Sequence, residues 1–157
     1  MELLQRNIVV VGLGVTGVAV ARFLRKRGAA VIVTDMASES DLGPQVSEFQ
    51  ALGIPLELGG HRPETFNNAD LIVLSPGVSH TIKPVLQARN RDIPVIGEIE
   101  LASRYIRQPV VAVTGTNGKT TTTELLCDML KRSGLKVFVG GNIGNPLIDY
   151  ADRKSVV

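Results

Sequence analysis

One cysteine in 157 residues, no tryptophan, four phenylalanines and two tyrosines are what this sequence carries of its scarcest side chains. The lone Cys127 excludes a disulfide within the chain and fits a reducing compartment. Its surroundings, Leu125–Leu126–Cys127–Asp128–Met129–Leu130, read as a helix in which a cysteine serves as a small buried hydrophobe. Charge of one sign is also missing. A net charge of +2, with no Lys or Arg cluster interleaved with aromatics, does not fit a nucleic-acid-binding surface. The basic group Arg22, Arg25, Lys26 and Arg27 reads instead as cations at a helix C-terminus. No apolar run is long enough for a membrane span, since Ile8–Val9–Val10–Val11 stops after four residues, and Met1–Glu2–Leu3–Leu4–Gln5–Arg6 lacks a basic leader. A cytoplasmic protein without membrane or nucleic-acid partners is expected, and a monomer. His61 and His80 stand at no ligand spacing with another His or Cys and are expected to be solvated loop residues. Glu98 and Glu100 open a predicted helix, where they are expected to offset its dipole.

What is abundant is β-branched apolar sequence in short runs that alternate with helical patterns. That alternation predicts an α/β fold: a Rossmann-like, doubly wound, mostly parallel sheet covered by helices on both faces. Strands are expected at 7–11, 30–34, 54–58, 71–74, 94–96, 110–113 and 136–139. Helices are expected at 15–27, 44–52, 83–91, 98–106 and 119–132, the first stopped by Gly28. Five strands precede a boundary near Gly97 and two follow it. The expected domains are therefore 1–96 and 97–157. A doubly wound sheet usually has about five or six strands, so the second domain is expected to be cut short.

Each expected domain opens with a strand that runs into a glycine-rich turn. In the second, Val110–Val113 leads into Thr114–Gly115–Thr116–Asn117–Gly118–Lys119–Thr120–Thr121 and then a helix. Backbone N–H groups from Gly115 to Lys119 can line one concavity for phosphates, helped by the helix dipole. Lys119 can reach the outer phosphates, and the Thr120 hydroxyl can ligate magnesium. The strict P-loop has glycine where this chain has Val113, and an ordinary strand-to-helix turn also explains the glycines. It does not explain a lysine followed by four threonines, which helix propensity disfavours.

In the first, Gly12–Leu13–Gly14–Val15–Thr16–Gly17 follows the opening strand with dinucleotide-fingerprint spacing. Gly12 makes the tight turn, Gly14 admits a pyrophosphate to the backbone, and Gly17 permits close helix–strand packing. Asp35 ends the second strand about 20 residues on, placed to accept a hydrogen bond from a ribose hydroxyl or a base N–H. By itself the fingerprint favours a nicotinamide dinucleotide. Two further turns are expected at the same crevice. In Leu74–Ser75–Pro76–Gly77–Val78 the backbone and the Ser75 hydroxyl can touch a diphosphate or sugar, or the Pro-Gly turn is purely structural. In Gly140–Gly141–Asn142–Ile143–Gly144–Asn145–Pro146 the Asn142 amide can meet a polar ligand, or merely supplies a left-handed turn residue.

Taken together, these turns with Thr34–Asp35, Gly97–Glu98–Ile99–Glu100–Leu101 and Gly141–Asn142–Ile143–Gly144 resemble the Mur ligases of peptidoglycan synthesis, over essentially the whole chain. The resemblance implies that the first unit binds the uridine diphosphate end of a UDP-sugar. It implies contacts from Gly14, Val15, Thr16 and Gly17 to the diphosphate, from Asp35 and Met36 at the uracil region, from Ser75, Pro76 and Gly77 to the uridine, and from Asn142 near the ATP site. It implies ATP and magnesium at Gly115, Thr116, Asn117, Gly118, Lys119, Thr120 and Thr121, with Lys119 and Thr120 catalytic and Thr120 on the metal. The implied reaction is amide-bond formation: ATP phosphorylates the L-alanine carboxylate of UDP-N-acetylmuramoyl-L-alanine, and the D-glutamate amine displaces phosphate. In that family a glutamate and a histidine that help ligate magnesium, a carbamylated lysine and the amino-acid-binding domain lie further along. These 157 residues are therefore expected to bind a UDP-sugar without ligating it. Two other readings stand beside this one: an NAD(P)-dependent oxidoreductase, and a non-enzymatic nucleotide-sensing module.

Overall fold

The computed structural model describes residues 2–141 and 145–153. Five strands form one all-parallel sheet: β1 (Asn7–Val11), β2 (Ala30–Thr34), β3 (Leu56–Glu57), β4 (Leu71–Leu74) and β5 (Val95–Gly97), in the order β3-β2-β1-β4-β5. Chain direction across the sheet reverses between β1 and β4, the switch point outside which α/β sheets hold their ligands. Register puts the last residues of the central strands level, with Val11 opposite both Thr34 and Leu74. The turns that follow those strands therefore emerge at one edge.

Strand alternation sends successive side chains to opposite faces, and the two cores follow from it. Ile8, Val10, Val31, Val33, Leu71 and Val73 face a layer that includes Phe23 and Leu24 of α1 (Val15–Lys26). Val9, Val11, Ile72 and Leu74 face Phe66, Val85 and Ala88. Each such buried side chain stabilises the fold by about 1.5–3 kcal/mol. The remaining helices are α2 (Glu39–Leu42), α3 (Pro44–Ala51), α4 (Pro63–Asn67), α5 (Lys83–Arg89), α6 (Glu98–Ser103), α7 (Lys119–Arg132) and α8 (Leu147–Arg153). Buried Leu101 and Ala102 of α6 and Ile148 and Ala151 of α8 join the core cluster that contains α1.

Several expectations need correction. Residues 110–113 and 136–139 form no strand: a parallel strand exists only against a neighbour, and Val110 and Val111 are 61% and 66% exposed. Among the described residues the pairing there reduces to one bridge, Gly140 to Asn145. The expected strand 54–58 shrinks to two residues, because Pro55 has no N–H to donate and only its carbonyl is used, by Val33 N–H at 3.0 Å. The strand expected at 94–96 is shifted by one residue, and four of the five expected helices end one to three residues early, while 119–132 is found as expected. Three short helices, α2, α4 and α8, were not expected. Cys127 is half-buried, since α7 has no buried residue.

Candidate functional site

Gly12 leaves β1 with φ +97°, a conformation that L side chains rarely adopt, and its N–H donates to Thr34 O at 2.9 Å. A Cβ on Gly12 would stand 2.9 Å from both Ser75 Cβ and Val78 Cγ2. One on Gly17 would stand 1.9 Å from Gly12 O. Glycine at both positions is what lets α1 lie under the turn and the turn after β4 lie against it.

Two side chains fasten this turn. Asp35 Oδ2 accepts the Leu13 N–H at 2.6 Å, and Asp35 Oδ1 accepts the Ala37 N–H at 2.8 Å. Ser75 Oγ donates to Gly12 O at 3.0 Å. Residues expected from sequence to face a ligand therefore first hold each other. Each Asp35 oxygen keeps further accepting capacity, and the Ser75 oxygen can still accept. The spacing of Asp35 from the glycines identified the residue but not its backbone partner.

Gly14 lies differently. Nothing stands within 4 Å of a Cβ built there. It is the N-cap of α1, which has no side-chain cap and no acidic residue in its first turn. The first-turn N–H groups of a helix have no partner within it, and here no side chain caps them beside an open cleft, the arrangement that attracts an anion. That cleft has a volume of about 670 Å³ and is lined by Gly12, Leu13, Gly14, Val15, Thr16, Asp35, Ser75, Pro76, Gly77, Val78, Gly141 and Pro146. Of the residues expected at the diphosphate and uridine, Gly14, Val15, Thr16, Asp35, Ser75, Pro76 and Gly77 are brought together on its wall. Gly17 packs behind the turn. Met36, 66% exposed, is not on the wall. Asn142 lies outside the described residues.

His61 departs from expectation. It is half-buried, its Nδ1 2.8 Å from the buried Thr34 Oγ1, with its ring edge-on to Phe66 at 5.8 Å. Burial lowers its pKa, opposed by the nearby carboxylates of Asp35 and Glu57. Thr34 Oγ1 also donates to Gly60 O at 3.2 Å, so His61 and Thr34 pin the loop after β3 beside Asp35. Sequence reasoning missed this role; an isolated histidine after a Gly-Gly pair carries no spacing signal. His80 is exposed, as expected, with Nδ1 3.3 Å from Arg89 Nη2. Glu98 is another correction. It is buried, and its Oε1 accepts the Ile148 N–H of α8 at 2.6 Å. Desolvation raises its pKa, against the lowering effect of the Ile148 and Leu147 N–H groups.

The second turn is open. Gly115, Thr116, Asn117, Gly118, Thr120 and Thr121 are exposed, and Gly118 caps α7 in the left-handed region at φ +75°. α7 also starts without a side-chain cap or an acidic first turn. Lys119 Nζ folds back onto Gly115 O at 2.5 Å and Thr116 O at 3.3 Å. The ammonium thus rests on its own loop's carbonyls. Among the described residues no cluster of three or more His, Cys, Asp or Glu is placed to hold a metal. No helix among them is long and apolar enough to cross a membrane.

A five-stranded parallel sheet with a glycine-rich turn at its switch point is a Rossmann-like domain, here continued by a glycine-lysine loop and its helix. Residues 6–97 match the family profile described as Mur ligase MurD-like, N-terminal domain, and residues 113–155 match the Mur ligase middle domain; the chain belongs to the Mur ligase family. It is 59% identical over 153 residues to the UDP-N-acetylmuramoylalanine--D-glutamate ligase of Desulfosudis oleivorans, covering 98% of this chain and 33% of that protein. To the ligase of the same name in Desulfatibacillum aliphaticivorans it is 55% identical, covering all of this chain and 36% of the relative. Among solved structures, the pseudomurein peptide ligase type C of Methanothermus fervidus aligns with a TM-score of 0.57 and 34% identity, over 94% of this chain and 31% of the other. The chain spans about a third of the length of the curated relatives it matches.

Proposed function

We propose that the protein acts in peptidoglycan precursor synthesis as an ATP-dependent amide-bond ligase that adds D-glutamate to UDP-N-acetylmuramoyl-L-alanine. The cleft of the first domain, residues 1–96, holds the UDP end of that substrate. Its uncapped helix start beside Gly14, Val15 and Thr16 is the observation that carries this reading, because a diphosphate is the ligand such a wall attracts. Asp35, Met36, Ser75, Pro76 and Gly77 contact the uridine, and Asn142 the substrate near ATP.

Residues 97–157 supply the ATP phosphate loop. The Lys119 ammonium, resting on two carbonyl oxygens, is a cation that a phosphate draws across a short distance, and the exposed Thr120 is free to meet magnesium. A magnesium ion held there would supply charge neutralisation for the transferred phosphoryl group. Lys119 adds a second positive charge to the same oxygens, and the Gly115–Gly118 backbone holds them in place. Phosphoryl transfer to the L-alanine carboxylate yields the acyl phosphate, and D-glutamate nitrogen attack expels phosphate as the amide forms. The 157-residue chain by itself holds the UDP-sugar but hydrolyses ATP negligibly. Turnover at the roughly 1–100 per second of complete phosphoryl-transfer enzymes would contradict this.

Thermal unfolding of the 157-residue chain tests the reading. UDP-N-acetylmuramoyl-L-alanine at about a hundred times its Kd adds roughly 2.7 kcal/mol, a rise in Tm of about 5–10 °C at this size. NADH and NADPH are expected to add nothing. A shift with NADH and none with the UDP-sugar would instead make the chain a dinucleotide-binding domain of an oxidoreductase.

A further inference from the structure

Glu98 and Thr34 are the buried polar side chains among the described residues, and Glu98 is the charged one, 2% exposed. A carboxylate is costly to bury without partners. Its Oε1 takes the Ile148 N–H across 50 residues of sequence, while its Oε2 is buried without a partner. Leu147 and Ile148 lie in the first turn of α8, whose N–H groups have no acceptor inside the helix. Pro146, just before, has no N–H at all. Glu98, at the carboxyl end of β5, thus does from a distance what a capping residue does locally.

What α8 carries is a wall of the cleft. Gly141 and Pro146 line the cleft together with the glycine-rich turn, and α8 begins directly after Pro146. A hydrogen bond from Gly141 N–H to Asn145 O, 2.9 Å, links the two lining positions. Among the described residues α8 anchors this wall, through buried Ile148 and Ala151, through Glu98 at its start, and through Asp152 at its end. Asp152 pairs with Lys26 at 2.5 Å, a pair that contributes little because the Lys26 side chain is 54% exposed, and more distantly, at 3.6 Å, with the better covered Arg27. The buried bond at Glu98 is the stronger constraint.

We infer that Glu98 is a positioning residue of the cleft: it fixes the first turn of α8 and so seats Gly141 and Pro146 against the UDP-sugar. The inference rests on the reading of the cleft as the UDP site, and it makes affinity depend on a side chain that does not touch the ligand. The test uses the 157-residue chain with Glu98→Ala and Glu98→Gln, and Glu98→Met where the alanine variant does not fold. Amide hydrogen exchange at Ile148, Gly141 and Val10 is measured beside UDP affinity by calorimetry, at a temperature where circular dichroism shows every variant folded. Loss of the acceptor is expected to speed Ile148 and Gly141 exchange about tenfold or more relative to Val10, and to weaken UDP binding about tenfold. Glu98→Gln, which keeps an acceptor, should recover most of both.

A purely structural role would lower Tm and leave the Kd of the folded protein alone. That result, or unchanged Ile148 exchange in Glu98→Ala, overturns the inference. Wild-type chain that binds no UDP overturns the reading of the cleft instead, and the exchange of Ile148 and Gly141 then still decides whether Glu98 holds the wall.

Discussion

Replacing Gly17 by alanine separates sterics from backbone preference within one residue. Gly17 lies in α1 without a positive φ, so alanine's better helix propensity favours the variant by up to about 1 kcal/mol. Against that, the new Cβ stands 1.9 Å from Gly12 O and 3.2 Å from Ser75 Oγ, and the first of these is backbone with nowhere cheap to go. Forcing a methyl into a packed site costs about 1–3 kcal/mol, and pushing the Gly12 carbonyl away from Ser75 forfeits a hydrogen bond of about 1 kcal/mol. The net is a loss of about 1–3 kcal/mol, a sizeable part of the 5–15 kcal/mol that holds a typical domain. In urea, with a slope of about 1–3 kcal/mol per molar, the midpoint should fall by on the order of 1 M. Gly14→Ala is the control. Nothing lies within 4 Å of its Cβ, so it loses only the N-cap preference, about 1 kcal/mol or less, while UDP binding weakens because the methyl projects into the cleft. A Gly17→Ala midpoint equal to or above wild type would refute the packing argument.

Asp35→Ala removes the acceptor of both the Leu13 and Ala37 N–H groups and is expected to cost about 1.5–3 kcal/mol, with faster exchange of the Leu13 amide; Asp35→Asn, which keeps one acceptor, should cost less. For His61, burial disfavours the cation, so the folded pKa lies below 6.5. Its contribution to stability is complete above pH 6.5 and is lost as pH falls through the lowered value, and His61→Phe should flatten that part of a urea-midpoint profile against pH. Lys119→Ala removes only bonds to carbonyls of an exposed turn, so Tm should stay within the change produced by about 0.5 kcal/mol, while stabilisation by Mg-ATP disappears in the same melting assay.

Where a local signal is strong, sequence reasoning found it, though it missed the short helices α2, α4 and α8. The β1–turn–α1 unit follows from four apolar β-branched residues, a glycine for positive φ and a glycine for close packing, all within 11 residues of chain from Asn7 to Gly17. Non-local facts were not legible. Ser75 meets Gly12 across 63 residues and Glu98 meets Ile148 across 50, and neither polar side chain announces its partner by spacing. His61 is the same kind of case, a histidine whose burial depends on Thr34 and Phe66 arriving from separate elements. The expected strands at 110–113 and 136–139 fail for a related reason. Their side chains suit a strand, but backbone pairing belongs to two segments at once, and Val110 and Val111 have no such neighbour among the described residues.

The two glycine-rich turns show what that difference does to a site. Both precede a helix without a side-chain cap or an acidic first turn, so both offer the same uncompensated N–H groups to an anion. The turn at Gly12 is held by Thr34 and Asp35 at the end of β2 and by Ser75 after β4, so its backbone is fixed before any ligand arrives. The turn at Gly115 has the bonds that Lys119 makes back to it, and a phosphate must displace that ammonium from two carbonyl oxygens as it binds. Pre-organised donors cost less to engage than donors ordered by the ligand itself. The first turn should therefore bind its diphosphate more tightly in this chain than the second binds ATP. Titrating the 157-residue chain with UDP and with Mg-ATP compares them directly, and a tighter Kd for ATP would mean that the framing by Asp35 and Ser75 does not govern affinity.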